Sequence, residues 1–239
     1  MNLAADIGNT HIKLALFEGD ELKEVWMDLA SVGETLTKYP IRKAIISKTG
    51  ANEEVEAYLK EKGIPTLFLN HTLKLPFKIL YKTPATLGAD RIAGSLASYR
   101  LFPNHNVLKV DFGTCITFDL ITARGEYLGG SISPGVRMRL KALNHYTAGL
   151  PLVEVPQQGA NGFNLTGDDT YSSIISGVMN GIWEEVQGII NQYDSRFDSL
   201  KVVGTGGDLH FFAALLKSEI FARPYLVLEG LNRILNYNL

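Results

Sequence analysis

The sequence predicts an α/β protein built from two similar halves. Three observations carry this reading. Strand and helix patterns alternate along the chain. A buried strand, a small-residue turn and an alternating strand occur twice, which marks a duplicated unit. A glycine-rich turn, Gly204-Thr205-Gly206-Gly207, joins a late strand to a helix.

The elements follow in order. Leu3–Ile7 reads as a buried strand, and Ile12, Leu14 and Leu16 alternate with Lys13 and Ala15 as a half-buried one. Glu18-Gly19-Asp20-Glu21 is a turn before a third strand over Leu22–Met27. Lys43–Ser47 is another buried strand, followed by a helix over Glu53–Lys62 that stops at Gly63 and a strand at Thr66–Leu69. The polar stretch KTPATLGADR leads into a helix from Ala89 to Leu101, ended by Pro103. The pattern then restarts: Val107–Val110 mirrors Leu3–Ala5, Asp111-Phe112-Gly113 mirrors Asp6-Ile7-Gly8, and the next strand again ends in a Gly-acid turn, Gly125-Glu126. The halves are placed at 1–103 and 104–239. Helices are expected at Pro134–Tyr146, Asp169–Tyr193 and Leu209–Glu219, with Gly177 and Gly181 spaced for close helix packing, and a strand at Lys201–Val203.

Composition narrows the function classes. The 239 residues are 46% apolar and 20% charged, so the chain has material for a core rather than for disorder. A net charge of -2 supplies no attraction for nucleic acid or an anionic membrane. Asp6 interrupts the first apolar run, which therefore lacks a signal-peptide core, and one cysteine, Cys115, suits a reducing compartment. The expectation is a cytoplasmic protein with neither nucleic acid nor membrane as partner. The five histidines are scattered without metal-ligand spacing.

The turns carry the chemistry. Gly8 and Gly113 allow a ligand close to the backbone, while Asn9, Thr10 and Thr114 can donate to phosphate oxygens. Asp6 and Asp111, at equivalent places, repel phosphate directly and so imply a cation between. Gly204–Gly207 at a helix start offers a surface for a nucleoside. Neither a Walker loop nor a complete Rossmann fingerprint occurs. Asp90 reads alone as a first-turn acid favoured by the helix dipole. Thr170 in GDDT reads equally as part of a helix start.

Together DIGNT at 6–10, YKTPATLGADR at 81–91, DFGTCITFD at 111–119, GGSISPG at 129–135 and GTGGD at 204–208 resemble the acetate and sugar kinase/Hsp70/actin superfamily. Within it, the chain is similar to the type III pantothenate kinases over nearly its whole length. The resemblance implies duplicated actin-like, ribonuclease H-like domains with mixed sheets flanked by helices, and an ATP cleft between them. It implies ATP-dependent phosphorylation of pantothenate in the first step of coenzyme A synthesis. Asp6, Ile7, Gly8, Asn9, Thr10, His11, Ile12 and Lys13 would form the first phosphate loop, with Thr114 in the second. Tyr81, Gly88, Ala89, Asp90, Arg91 and Thr170 would bind pantothenate, Asp90 being the catalytic base. Asp111 would hold a monovalent cation, K+, beside the Mg2+ that accompanies ATP, and the protein would be a homodimer. The family more often has alanine at Cys115. Two alternatives are a kinase of the same superfamily for another small alcohol and a non-catalytic accessory protein of transcription. The second lacks support in a slightly acidic chain with no helix-turn-helix.

Overall fold

The computed structural model describes residues 1–8, 11–28, 31–156, 162–216 and 219–239. In chain order these form β1 (Asn2–Ile7), β2 (Ile12–Glu18), β3 (Glu21–Met27), α1 (Val32–Leu36), β4 (Lys43–Lys48), α2 (Glu54–Glu61), β5 (Thr66–Phe68), β6 (Lys78–Ile79) and α3 (Ala89–Leu101). There follow β7 (Val107–Phe112), β8 (Cys115–Ile121), β9 (Glu126–Pro134), α4 (Val136–His145), α5 (Thr170–Asp194), β10 (Lys201–Thr205), α6 (Leu209–Phe212), β11 (Ile220–Ala222) and α7 (Leu226–Asn238). Contacts group the chain into two units, Met1–Leu101 with Gly125–Tyr127 and Tyr225–Leu239, and Phe102–Arg124 with Leu128–Pro224.

The duplication is visible in sheet topology. The first sheet runs β3-β2-β1-β4-β5, with β1 antiparallel to β2 and parallel to β4. The second runs β6-β9-β8-β7-β10-β11, repeating that order with β6 added at one edge; β7 is antiparallel to β8 and parallel to β10. Strands β1 and β7 also share one burial pattern, in which the fifth residue alone is half-buried. That residue is Asp6 in β1 and Asp111 in β7.

In the first unit Leu3, Ala5 and Ile7 pack with Val32 and Leu36 of α1 and Val55 and Leu59 of α2. The opposite face is covered by α7, which also packs on α3. This explains a departure from the sequence reading: Leu14, Ala15, Leu16 and Phe17 of β2 are all buried, not alternately exposed. A sheet covered on both faces has no solvent side for the pleat to alternate toward. The α3–α7 contact is close enough that a β-carbon at Gly230 would lie 1.9 Å from Ala93 O. Asn2 Nδ2 donates to Asn232 Oδ1 at 2.8 Å and Asn236 Oδ1 at 2.9 Å, tying β1 to α7.

In the second unit Leu108, Val110 and Phe112 of β7 meet Ile174, Val178, Ile182, Val186 and Ile190 of α5, a stripe spaced by one helical turn. Helix α5 begins with a capping box: Asp169 accepts from Ser172 N at 2.6 Å, and Ser172 Oγ accepts from Asp169 N at 3.0 Å. The expected helix over Leu209–Glu219 is much shorter. It ends at Phe212, the chain turns through 213–215, and Ile220–Ala222 form β11 beside β10. Pairing the edge of β10 and burying Phe211, Phe212 and Leu216 outweigh local helix preference.

Candidate active site

In the first unit the turn after β1 is shaped by backbone contacts. Gly8 N donates to His11 O at 3.0 Å; Asn9 and Thr10 lie outside the described residues. The loop after β4 presses on this turn, since Thr49 N and Gly50 N both donate to Ile7 O at 2.9 Å. A β-carbon at Gly50 would sit 2.3 Å from Gly8 O, so only glycine fits. Asp28, with φ +48°, fastens the other side. Its Oδ1 accepts from Ile12 N at 2.7 Å, and its Oδ2 lies 2.5 Å from His11 Nδ1. His11, and secondarily the Ile12 N–H, hold the Asp28 carboxyl below its usual range. Asp6 faces Lys13 on β2 and Ser47 on β4.

The KTPATLGADR stretch builds a second cluster in the same unit. A short 3-10 turn over Pro84–Thr86 precedes Gly88, whose carbonyl accepts from Ile92 N at 3.2 Å as α3 begins. A β-carbon at Gly88 would meet Asp90 Oδ1 at 2.6 Å. Asp90 is half-buried and Arg91 is buried. The Arg91 guanidinium carbon lies 6.0 Å from the Tyr81 ring centre, and the Tyr81 and Tyr127 rings are 6.2 Å apart at 57°. Tyr81, Gly88, Ala89, Asp90 and Arg91 are thus drawn into one neighbourhood.

The second unit repeats the turn with variations. Asp111 faces Thr117 on β8 and Thr205 on β10. Gly113 N donates to Cys115 O at 3.2 Å, and Gly135 N donates to Thr114 O at 3.1 Å. A β-carbon at Gly135 would lie 2.5 Å from Gly113 O, so the start of α4 is backed directly against the loop. Gly206, at φ +96°, crosses Phe112 so closely that a β-carbon would be 2.4 Å from its carbonyl carbon. Asp208 N donates to Phe112 O at 3.0 Å, as Gly50 N does to Ile7 O in the first unit. Burial pushes the Asp208 carboxyl up, offset in part by Arg137 and His210. One pleat along β7 from Asp111, Lys109 Nζ lies 2.8 Å from Asp119 Oδ2, both side chains buried.

Thr170 opens α5 and lines a cavity of about 990 Å³ with Arg139, Tyr146, Asp168 and Asp169. Gly177 and Gly181 are both exposed, and among the described residues no neighbouring element comes within 4 Å of a β-carbon at either. Gly50, Asp28 and Tyr127 were not singled out from sequence. Gly50 had a weak signal as a glycine directly after a buried strand, and the other two had none.

This arrangement is a known scaffold. A Baf family protein from Campylobacter jejuni superposes with a TM-score of 0.61 at 22% identity, covering 99% of this chain and 98% of that one. A ROK family glucokinase from Streptomyces griseus, in complex with glucose and AMPPNP, superposes at 0.50 and 12% identity over 99% and 98% of the two chains. The fold is that of the actin-like ATPases and sugar kinases. The sequence model for type III pantothenate kinase matches residues 2–192, and the type III pantothenate kinase of Christiangramia forsetii is 47% identical over 100% of this chain and 99% of its own. The chain belongs to the type III pantothenate kinase family.

Proposed function

We propose that this chain transfers the γ-phosphoryl group of ATP to the primary hydroxyl of pantothenate, the first step of coenzyme A synthesis, with Asp90 as general base. The observation that carries the assignment of the base is the close fit of Gly88 beside Asp90, because the bare glycine leaves the space that the carboxylate occupies at the start of α3. The acceptor hydroxyl donates to the Asp90 carboxylate, which orients it and takes its proton as the new O–P bond forms and the bond from Pγ to the ADP oxygen breaks. Arg91 and Tyr81 bind the acceptor beside Asp90, and Thr170 is its further contact.

The backbone and side chains of Asp6 to Lys13 bind ATP phosphates, and Thr114 does so from the second unit. Among the described residues no three His, Cys, Asp or Glu side chains group as a metal cage. That suits Mg2+ held mainly by phosphate oxygens, where it neutralises charge when bound. Asp111, half-buried and flanked by Thr117 and Thr205, offers the oxygen donors that K+ takes. The second unit exposes Ile132, Tyr146 and Leu165, and α5 presents an open glycine face, which together support a homodimer. Among the described residues no helix is long and apolar enough to cross a membrane. The location we propose is the cytoplasm, with neither membrane nor nucleic acid as partner.

The test is coupled ADP release from ATP and pantothenate with Mg2+ and K+, comparing the native chain with Asp90→Asn. Pantothenate-dependent turnover that falls about 100- to 10,000-fold in the variant, with ATP binding kept, supports the reading. An Asp90→Asn variant of full activity would remove Asp90 as base. Absence of pantothenate dependence in the native chain would remove the substrate.

A further inference from the structure

Gly125–Tyr127 leave the second unit for three residues and join the first. What they bring is Tyr127, the largest side chain among the described residues to be fully buried. Its surroundings are specific. Strand β6 pairs in parallel with this segment, Lys78 opposite Glu126 and Ile79 opposite Tyr127. Lys78 N donates to Gly125 O at 2.8 Å, and Leu80 N donates to Tyr127 O at 2.9 Å. Tyr81 is the next residue, so the main chain of Tyr127 anchors the strand that delivers Tyr81. The Tyr127 side chain then meets the Tyr81 ring at 6.2 Å, while the Arg91 guanidinium lies 6.0 Å from the centre of the same Tyr81 ring. Gly125 permits the approach: its φ is +71°, and a β-carbon there would lie 3.1 Å from Tyr99 Oη on α3.

We infer that Tyr127 is a positioning residue of the acceptor site, its ring fixing Tyr81 against Arg91 so that the acceptor meets a preformed edge. The inference rests on the reading of Tyr81 and Arg91 as acceptor-binding groups. A flat aromatic held by a second ring and a guanidinium has few alternative rotamers, which lowers the ordering cost of binding. Tyr127 itself touches no reacting atom, and its effect is confined to acceptor binding.

Steady-state kinetics of the full chain test this with Tyr127→Leu, Tyr127→Phe, Tyr81→Leu and the double leucine variant. Tyr127→Leu is expected to raise KM for pantothenate about three- to tenfold, the worth of one aromatic pair, with KM for ATP unchanged. Tyr127→Phe keeps the ring and is expected to stay within about twofold of native. Because Tyr127 acts through Tyr81, the double variant is expected to be no worse than Tyr81→Leu alone. Additive effects in the double variant would overturn the inference, as would a loss of kcat at unchanged acceptor KM. A rise in KM with Tyr127→Phe equal to that with leucine would also overturn it, by moving the role from ring to hydroxyl. If Tyr81→Leu leaves acceptor KM unchanged, the acceptor-site assignment fails first and this inference with it. Should the leucine variant not accumulate, Tyr127→Met, an unbranched side chain that adapts to the vacated space without a ring, replaces it under the same criteria.

Discussion

A β-carbon at Gly88 would lie 2.6 Å from Asp90 Oδ1, so the residue before α3 and the carboxylate in its first turn occupy mutually exclusive space. Any side chain at 88 must push the carboxylate away. Gly88→Ala is therefore expected to lower kcat about 10- to 100-fold, since a displaced base loses most of its alignment. ATP affinity and thermal midpoint should remain near native. Unchanged kcat in Gly88→Ala would separate Asp90 from the chemistry.

The pairing of Asp28 with His11 and Ile12 N predicts a pH dependence. Because the folded carboxyl is held below its ordinary range, the contact is present above about pH 4 and is lost as pH falls through the lower folded value. Between about pH 5 and 8 the Asp28 carboxylate stays ionised, so Asp28→Asn should raise KM for ATP about two- to tenfold. Both side chains are about half-exposed, so the stability loss should stay below about 1 kcal/mol. ATP KM measured across this range, with the pantothenate KM as control, checks the assignment.

Gly206 and Gly207 make a matched pair. Gly206 has φ +96° and no room against the Phe112 backbone, whereas a β-carbon at Gly207 meets no described residue within 4 Å. Gly206→Ala should cost about 2–4 kcal/mol and weaken nucleotide binding, because backbone atoms have to move. Gly207→Ala should fall within about 0.5 kcal/mol of native. Urea unfolding of both variants gives the comparison.

Lys109 and Asp119 neutralise each other inside the second unit, one pleat from Asp111. Removing one charge takes the counterion at 2.8 Å from the other inside the core, so Lys109→Met should cost about 3–5 kcal/mol. The double variant Lys109→Met/Asp119→Leu should recover most of that loss. Calorimetric midpoints of the single and double variants distinguish a coupled pair from two independent packing contacts.

The two hairpins, the GADR helix start and the glycine-rich turn were legible from sequence because their signals are local. Buried strands of alternating or continuous apolar residues, a turn of small polar residues, and a proline or glycine at a helix end are all written within about ten residues. Local signals misled where packing decided the outcome. The stretch after Leu209 could continue as a helix, yet Ile220–Ala222 extend a sheet edge. The alternation in β2 predicted one wet face, yet it is covered by α7, a helix whose apolar stripe through Leu228, Leu231 and Leu235 went unread.

By itself, the sequence determined the duplicated α/β organisation, the family and the identity of the residues proposed for chemistry, since each rests on residue type and spacing. Tertiary structure alone decided which residues support them. Gly50 against Gly8, Asp28 beneath His11 and Tyr127 behind Tyr81 join positions 17 to 46 residues apart in the chain. Their requirements come from how closely two backbones or two rings approach once folded, and such distances leave no mark in either segment read alone.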